Sequence, residues 1–342
     1  MLTCMGRAKV AALHQGVRYT RPAYFRGMVE RVLITGGAGF IGSALGEHLK
    51  ASGKEVWVLD DLSFGTRALA PVPDERFLRI DIRNRAAVQR TIAMAAPQQV
   101  LHLAAIHFIP YCNAHPVEAA DININGTINV LDACATAGSV NQVFVASTAA
   151  VYPIAEGAVN EEHPTGPLDI YGITKLAAER IASEFCLRTG IPTIIGRFFN
   201  AFGPNETNPH LIPEIQRQVR AGRRVLSLGN LEPKRDFIHT SDMARAMGAL
   251  LDGGFSGCEV FNIGRGIEYS VLEVVQAFER VLGEPLSIEV DEARVRKVER
   301  MHLLADVGKL KRRTGWEPRW SIDEGVASLL TEPLLEWKGA HA

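Results

Sequence analysis

Cysteine is scarce in this sequence. The chain of 342 residues contains five cysteines, an odd number, spread from Cys4 to Cys258. No two of them have the C-x-x-C spacing of a zinc site, and their wide separation does not support a disulfide framework. We therefore expect a protein of the reducing cytoplasm that holds no structural metal.

Long apolar runs and an excess of one charge are also missing. The richest apolar stretches, such as residues 100–105, have the length of a buried strand, well below the roughly 18 residues of a membrane span. Lys and Arg number 37 against 38 Asp and Glu, and the formal net charge is −1. Because this balance produces no global field toward nucleic acid or anionic membranes, we expect neither as a partner.

The first 28 residues differ in composition from the rest. They contain arginine and lysine but no acidic side chain, and they lack the apolar segment of a secretory signal. We expect residues 1–28 to form a poorly ordered N-terminal extension, with a docking arm as the alternative.

Short apolar runs alternate with longer amphipathic stretches from Arg31 onward. The runs occupy residues 32–34, 56–59, 77–80, 100–103, 143–145 and 193–195. Each has the length of a buried parallel strand, and the stretches between them have helical spacing. The alternation predicts an α/β fold, a Rossmann-type doubly wound parallel sheet.

The alternation of strand and helix patterns ends after Asn200. Residues 203–213 are rich in Gly, Pro, Asn and His, and short strand patterns follow near residues 225–228 and 286–290. We expect a Rossmann domain over residues 29–200 with a returning segment near 237–265. Residues 201–236 and 266–330 would form a smaller mixed α/β C-terminal lobe that binds the substrate. The ligand cleft is expected between the two, beyond the carboxyl ends of the strands.

A glycine-rich turn follows the first predicted strand and precedes a predicted helix. Gly37, Gly39 and Gly42 satisfy G-x-G-x-x-G, and Gly36 extends the pattern. Glycines at this position let a dinucleotide pyrophosphate approach the backbone and the helix N-terminus. Asp60 ends the second predicted strand, where a carboxylate accepts hydrogen bonds from the ribose hydroxyls and repels a 2′-phosphate. The pattern favours NAD over NADP, and a solvated aspartate at a strand end is the alternative for Asp60.

Tyr171 and Lys175 are four residues apart in a stretch with helical spacing, so they share one helix face. A neighbouring ammonium, together with a cationic nicotinamide, would lower the tyrosine pKa and make the phenol a usable base. Because Y-x-x-x-K is common, an ordinary helix face is the alternative. The position after the glycine-rich turn and after Thr148, at the end of a strand, favours catalysis.

Five segments together resemble one family. They read T-G-G-A-G-F-I-G, A-S-T-A-A-V-Y, Y-G-I-T-K, R-F-F-N-A-F-G-P and K-R-D-F-I-H. In this order they resemble the extended short-chain dehydrogenase/reductases, and within them the NAD-dependent nucleotide-sugar epimerase/dehydratase family, with similarity to UDP-sugar 4-epimerases. The resemblance covers residues 29–330. It implies NAD as cofactor, a nucleotide-diphosphate sugar, most simply a UDP-sugar, as substrate, and a homodimer.

The resemblance also implies site residues. Those expected to contact the cofactor are Gly36, Gly39, Phe40, Ile41, Asp60, Asp61, Leu62, Ser63, Gly65, Asp81, Ile82, Leu103, Ala104, Ala105, Asn123, Tyr171, Lys175 and Phe199. Those expected to contact the substrate are His107, Thr148, Tyr171, Asn200, Leu211, Arg235, Arg296 and Glu299. The catalytic group would be Tyr171, Lys175 and Thr148. Tyr111 lies near His107, in the stretch where family members contact the hexose.

One departure from the family pattern narrows the expected reaction. Dehydratases and decarboxylases of the family carry acidic residues just after the catalytic hydroxyl, and 3,5-epimerases carry a cysteine there, whereas this chain has Ala149 and Ala150. The expected reaction therefore needs no acid or base beyond the tyrosine, the hydroxyl, the lysine and NAD. Epimerisation at carbon 4 is the simplest such reaction. A dehydrogenase or reductase, or a dehydratase of the same family, is the alternative. A redox-sensing binding module would not need Tyr171 and Lys175.

Overall fold

The computed structural model describes residues 29–206, 208–295 and 300–331. The expected N-terminal extension, residues 1–28, and two of the expected substrate contacts, Arg296 and Glu299, lie outside the described residues. Among the residues described, no helix is long and apolar enough to cross a membrane.

The strands and helices follow one another along the chain as the sequence alternation predicts. The strands are β1 (Arg31–Thr35), β2 (Glu55–Asp60), β3 (Phe77–Arg79), β4 (Gln99–His102), β5 (Gln142–Thr148), β6 (Ala158–Val159), β7 (Thr193–Phe198), β8 (Asn200–Phe202), β9 (Val225–Leu228), β10 (Lys234–His239), β11 (Cys258–Ile263), β12 (Glu268–Ser270), β13 (Ser287–Val290) and β14 (Leu304–Ala305). The α-helices are α1 (Phe40–Ala51), α2 (Arg85–Ala95), α3 (Ile109–Ala114), α4 (Pro116–Ala120), α5 (Thr127–Thr136), α6 (Ile170–Thr189), α7 (Leu211–Arg220), α8 (Thr240–Asp252), α9 (Val271–Leu282), α10 (Gly308–Thr314) and α11 (Ile322–Thr331).

The main sheet contains seven strands in the order β11-β7-β5-β4-β1-β2-β3, and each neighbouring pair is parallel. The chain therefore winds outward in both directions from β1, and the prediction of a Rossmann-type doubly wound sheet is confirmed. Each of the six predicted strand runs lies in this sheet.

Helices cover both faces of the main sheet. Val32 and Ile34 of β1 face a core that contains side chains of α1 and α8, while Leu33 faces a core with side chains of α2, α5 and α6. The alternation follows from strand geometry, because successive side chains point to opposite faces. Both faces are buried, which explains why these strands read as continuous apolar runs.

Smaller sheets form the C-terminal part of the molecule. β12, β10 and β8 form one sheet, β13 pairs with β9, and β14 pairs with β6. A separate core lies among α7, α9 and α11 and includes the buried Phe202 and Phe278. β11 leaves this region and pairs with β7, so it returns the chain to the main sheet. A cleft forms where the lobe faces the carboxyl ends of the main strands.

Candidate active site

A cavity of about 1160 Å³ lies between the main sheet and the C-terminal lobe. Its wall contains residues that follow β1, β2, β4 and β5, together with residues of the lobe such as Leu211, Arg235 and Tyr269. The carboxyl ends of adjacent parallel strands open on the same edge of a sheet, which is why residues distant in sequence meet here.

The glycine-rich turn forms one end of the cavity. Gly36 has a positive φ of 74°, and a Cβ there would meet the backbone nitrogen of Ala104 at 2.7 Å. A Cβ on Gly42 would meet the carbonyl oxygen of Gly36 at 2.1 Å. The turn therefore cannot close with larger residues at these two positions.

Gly39 differs from Gly36 and Gly42, because the backbone does not require glycine at this position. Its φ is −91°, which any residue adopts, and a Cβ would meet only the Gly36 oxygen, at 3.4 Å. Gly39 lines the cavity at the N-terminus of α1, so the missing side chain leaves open space beside backbone N–H groups. This cradle fits a phosphate group.

Asp60 ends β2 with its carboxylate held by two backbone amides. Oδ2 accepts from Ala38 N at 3.0 Å, and Oδ1 accepts from Leu62 N at 2.9 Å. Burial raises the pKa of Asp60, and the two amide bonds oppose this effect. Asp60 also lines the cavity, so it presents an acceptor in a fixed orientation.

Most of the other expected cofactor contacts lie in the cavity wall. These are Phe40, Ile41, Asp61, Ser63, Gly65, Asp81, Ile82, Leu103, Ala104, Ala105 and Phe199. Leu62 and Asn123 are not part of this wall. Asn123 is fully buried, and its amide bonds both backbone groups of Ile106, at 2.8 and 2.9 Å, and the hydroxyl of Thr174 at 3.0 Å. In this geometry Asn123 positions the cavity wall from behind.

Tyr171, Lys175 and Thr148 meet in the centre of the cavity wall. Asp169 caps the start of α6 by accepting from Gly172 N at 2.7 Å, and Tyr171 lies one helical turn before Lys175. Thr148 ends β5, and its hydroxyl forms a hydrogen bond with Tyr171. Strand β5 and helix α6 thus bring the three predicted catalytic residues together.

Burial changes the titration of this group. It raises the pKa of Tyr171, which the hydrogen bond from Thr148 partly opposes, and it lowers the pKa of Lys175 to about 8. Burial therefore acts against the lowering of the Tyr171 pKa that is expected from a neighbouring ammonium together with a cationic nicotinamide. Formation of a phenolate requires further positive charge in the cavity.

A buried ion pair that the sequence patterns did not predict lies next to the predicted catalytic residues. Arg197 of β7 donates to both carboxylate oxygens of Glu179, at 2.7 and 2.9 Å, and the side chains of both are 6% exposed. Ser147 donates to Glu179 at 2.5 Å, and the charge of Glu179 raises the pKa of Lys175 against the effect of burial. The pair connects α6 to β7, and the Ser147 hydrogen bond connects α6 to β5, the strand that carries Thr148. The sequence feature that could have indicated this role is the spacing of four residues, which places Glu179 one helical turn after Lys175.

Four of the residues predicted to contact the substrate also line the cavity, namely His107, Asn200, Leu211 and Arg235. Arg235 Nη1 donates to the carbonyl oxygens of Lys234 and Arg300, at 2.8 and 2.7 Å, which orients the guanidinium. Tyr111 does not line the cavity, and its hydroxyl donates to Glu118 at 2.8 Å.

Three further polar residues line the cavity, and the sequence analysis did not select them. They are Glu206, Asn208 and His210. Asn208 Nδ2 lies 3.0 Å from His107 Nε2, and burial lowers the pKa of His107 to about 4. The high content of Asn and His in this segment was the sequence feature that could have indicated these cavity residues.

Comparison with known proteins identifies the family. The family profile described as GDP-mannose 4,6 dehydratase matches residues 33–329. A UDP-glucose 4-epimerase of Streptomyces lividans is 32% identical over 331 residues, covering 92% of this chain and 98% of the relative. The chain belongs to the NAD-dependent epimerase/dehydratase family.

Solved structures of different family members resemble this one equally well. The UDP-glucose 4-epimerase of Thermus thermophilus in complex with NAD has a TM-score of 0.79 and 30% identity, covering 88% of this chain and 97% of that chain. The dTDP-glucose 4,6-dehydratase of Streptomyces venezuelae with NAD bound has a TM-score of 0.79 and 31% identity, covering 88% and 95%. Epimerases and dehydratases of the family share this architecture, so the reaction must be inferred from the site.

Proposed function

We propose that the protein is an NAD-dependent nucleotide-sugar 4-epimerase with a UDP-sugar as substrate. The observation that carries this proposal is the composition of the cavity wall next to Thr148. Ala149 and Ala150 line the cavity there, directly after the catalytic hydroxyl, and neither can donate or accept a proton. The two wall positions directly after Thr148 therefore supply no second acid or base to the Tyr171, Lys175 and Thr148 group.

The cavity fits NAD at the end formed by the glycine-rich turn. Gly39 leaves the space for the pyrophosphate beside the N-terminus of α1, and Asp60 presents its oriented carboxylate to the adenosine ribose. A 2′-phosphate would meet this carboxylate at close range, which favours NAD over NADP. When bound, NAD supplies reversible acceptance of a hydride from the sugar carbon.

Residues of the protein take up the proton of the sugar 4-hydroxyl and later return it. Tyr171 as phenolate takes the proton of the sugar 4-hydroxyl, directly or through Thr148, while carbon 4 is oxidised to a ketone. Lys175, charged below its pKa of about 8, contributes positive charge that favours the phenolate. Return of the proton from Tyr171 and reduction of the opposite face of the ketone give the inverted sugar.

Inversion requires the sugar to turn while the nucleotide stays anchored. Arg235 and Asn200 lie in the lobe wall, and a guanidinium is well suited to a diphosphate because it donates in a forked geometry. The volume of about 1160 Å³ leaves room for both ligands and for rotation of the hexose. Anchoring by the diphosphate keeps the reacting carbon in place in both orientations.

A dehydratase is the second candidate, because a dTDP-glucose 4,6-dehydratase is 31% identical to this chain. Elimination of water requires an acid and a base beyond the tyrosine. Ala149 and Ala150 occupy the positions where dehydratases of the family are expected to carry those groups, which disfavours this reaction. A keto-sugar reductase needs no such groups, and consumption of NADH distinguishes it.

Substrate deuterated at carbon 4 tests the proposal. An epimerase returns the label to carbon 4 of the product, with no net NADH and no solvent hydrogen at that carbon. Label that accumulates in released NADH indicates a dehydrogenase, and a 4-keto-6-deoxy product indicates a dehydratase. Either outcome overturns the assigned reaction while leaving the family membership intact.

We also propose a cytoplasmic homodimer. Val117 of α4, Ile128 of α5 and the residues Ile173 and Leu187 of α6 are exposed apolar side chains on neighbouring helices. Burial of such a patch against a second copy is favourable. Analytical ultracentrifugation of the wild type and of Ile173→Glu tests the dimer, since a charge in the patch should favour the monomer. Cell fractionation tests the location.

A further inference from the structure

Four polar side chains lie together in the wall of the cavity. His107, in the loop after β4, meets Glu206, Asn208 and His210, in the loop after β8, and we call these four residues the Glu206 cluster. Asn208 Nδ2 lies 3.0 Å from His107 Nε2, and the rings of His107 and His210 are 6.1 Å apart. Each member lines the cavity.

Glu206 is the unusual member of the cluster. Its side chain is 3% exposed, and one carboxylate oxygen, Oε1, pairs with His210 Nδ1. The other oxygen, Oε2, is buried and has no hydrogen-bond partner among the described residues. Leaving such an acceptor unsatisfied costs about 1–3 kcal/mol, so a group that enters the cavity and donates a hydrogen bond is favoured there.

One member of the cluster, His107, interacts electrostatically with the predicted catalytic group. The charge of Lys175 contributes to the lowered pKa of His107, so the two side chains are within electrostatic reach of each other. A hexose whose 4-hydroxyl meets Tyr171 carries a further hydroxyl on each side of that carbon, one on carbon 3 and one on carbon 6. The carbon 6 hydroxyl is a donor of the kind that Glu206 Oε2 lacks, and it is the group that a uronic acid sugar replaces with a carboxylate.

We propose that Glu206 determines which sugar the enzyme accepts, because its unpartnered oxygen accepts a hydrogen bond from the carbon 6 hydroxyl and disfavours a carboxylate in the same place. A uronic acid sugar would bring a second carboxylate into the buried space, and two carboxylates at close range must share a proton. The inference rests on the proposed function, since it assumes that the sugar of a UDP-sugar reaches the catalytic group.

Two ligands on the same nucleotide test this assignment. UDP-glucose and UDP-glucuronate differ only in the hydroxymethyl or carboxylate group at carbon 5, and calorimetry measures their dissociation constants for the full chain with NAD present. The wild type should bind UDP-glucose about tenfold or more tightly than UDP-glucuronate, a difference of about 1.4 kcal/mol. In Glu206→Gln, whose amide can donate to a carboxylate, the two constants should differ by less than about threefold.

Two controls separate the sugar contact from general effects. Glu47→Gln removes the same charge from the exposed surface of α1 and should preserve the wild-type discrimination. UDP alone lacks the sugar, so its dissociation constant should be the same in the wild type and in Glu206→Gln.

The outcomes distinguish this inference from the proposed function. Equal affinity of the wild type for both sugars overturns the role of Glu206 without any variant, and discrimination that persists in Glu206→Gln does the same. Absence of UDP-glucose binding to the wild type overturns the proposed substrate as well. Tight binding of UDP-glucose without epimerisation overturns the reaction alone.

Discussion

Burial shifts the two titratable groups of the catalytic pair in opposite directions. The pKa of Tyr171 rises and that of Lys175 falls to about 8, because desolvation disfavours the charged form of each. The phenol is therefore kept protonated by the protein alone. At the scale of single residues, we therefore propose that Tyr171 becomes an effective base when further positive charge enters the cavity.

Tyr171→Phe removes the hydroxyl and keeps the ring. We expect kcat to fall on the order of 10³-fold with NAD affinity largely retained, because no other side chain replaces the base. Thr148→Ala should lower kcat less, since a water can replace its hydroxyl. Tyr111→Phe is the matched control, because Tyr111 lies outside the cavity wall, and it should leave kcat within about twofold. Similar losses in Tyr171→Phe and Tyr111→Phe would contradict the assigned role of Tyr171.

Lys175→Met should remove activity but stabilise the fold at pH 7. The folded-state pKa of Lys175 is about 8, below its ordinary value of 10.5. Burying this lysine therefore destabilises the protein by up to about 3 kcal/mol below pH 8, and the penalty disappears as pH rises toward 10.5. Thermal unfolding checks this. The melting temperature of the variant should exceed that of the wild type at pH 7, and the difference should shrink at pH 9.5. A constant difference would contradict the pKa.

At the scale of elements, α6 is held to the sheet by more than apolar packing. Its exposed face carries Glu184, which pairs with Arg188 in solvent, whereas its buried face carries Glu179, which pairs with Arg197 of β7. Removing one partner of the buried ion pair should lower the free energy of unfolding more than removing one partner of the exposed pair.

Glu179→Gln should lower the free energy of unfolding by about 3 kcal/mol, because it leaves the Arg197 charge buried without a carboxylate. Glu184→Gln, on the exposed face of the same helix, should lower it by less than about 0.5 kcal/mol. Urea unfolding of both variants measures the two values. Equal losses would show that solvent reaches the Glu179 site.

At the scale of the whole molecule, the cavity depends on two parts of the chain that fold around separate cores. The main sheet provides the glycine-rich turn, Asp60 and the catalytic group, and the C-terminal lobe provides Arg235. A change in the lobe should therefore affect the nucleotide sugar more than the cofactor.

Arg235→Ala should weaken UDP binding by roughly 2 kcal/mol, about thirtyfold, with NAD affinity nearly unchanged. Arg223→Ala provides the control, since Arg223 is exposed in the same lobe and does not line the cavity. Calorimetry with each ligand separates the two effects. Parallel losses for UDP and NAD would indicate that Arg235 supports the fold instead.

Local patterns in the sequence determined the elements and their order. The apolar runs became β1 to β5 and β7, and the Tyr171 and Lys175 spacing lies on one face of α6. The glycine-rich turn could be predicted because the residues that define it lie within eight consecutive positions, Thr35 to Gly42. Such features depend on backbone geometry and on the period of burial, which near neighbours specify.

Only the tertiary structure decided which side chains share an environment. Asn208 and His107 are 101 residues apart in the sequence, and Glu206 became a buried acceptor because two distant loops meet above the cavity. Asn123, which is expected to contact the cofactor, is hydrogen-bonded to Ile106 and Thr174, and no local pattern predicts these contacts. The direction of the Tyr171 pKa shift likewise depends on how much water the whole fold excludes. Burial and long-range contact are properties of the packed chain, so no local pattern specifies them.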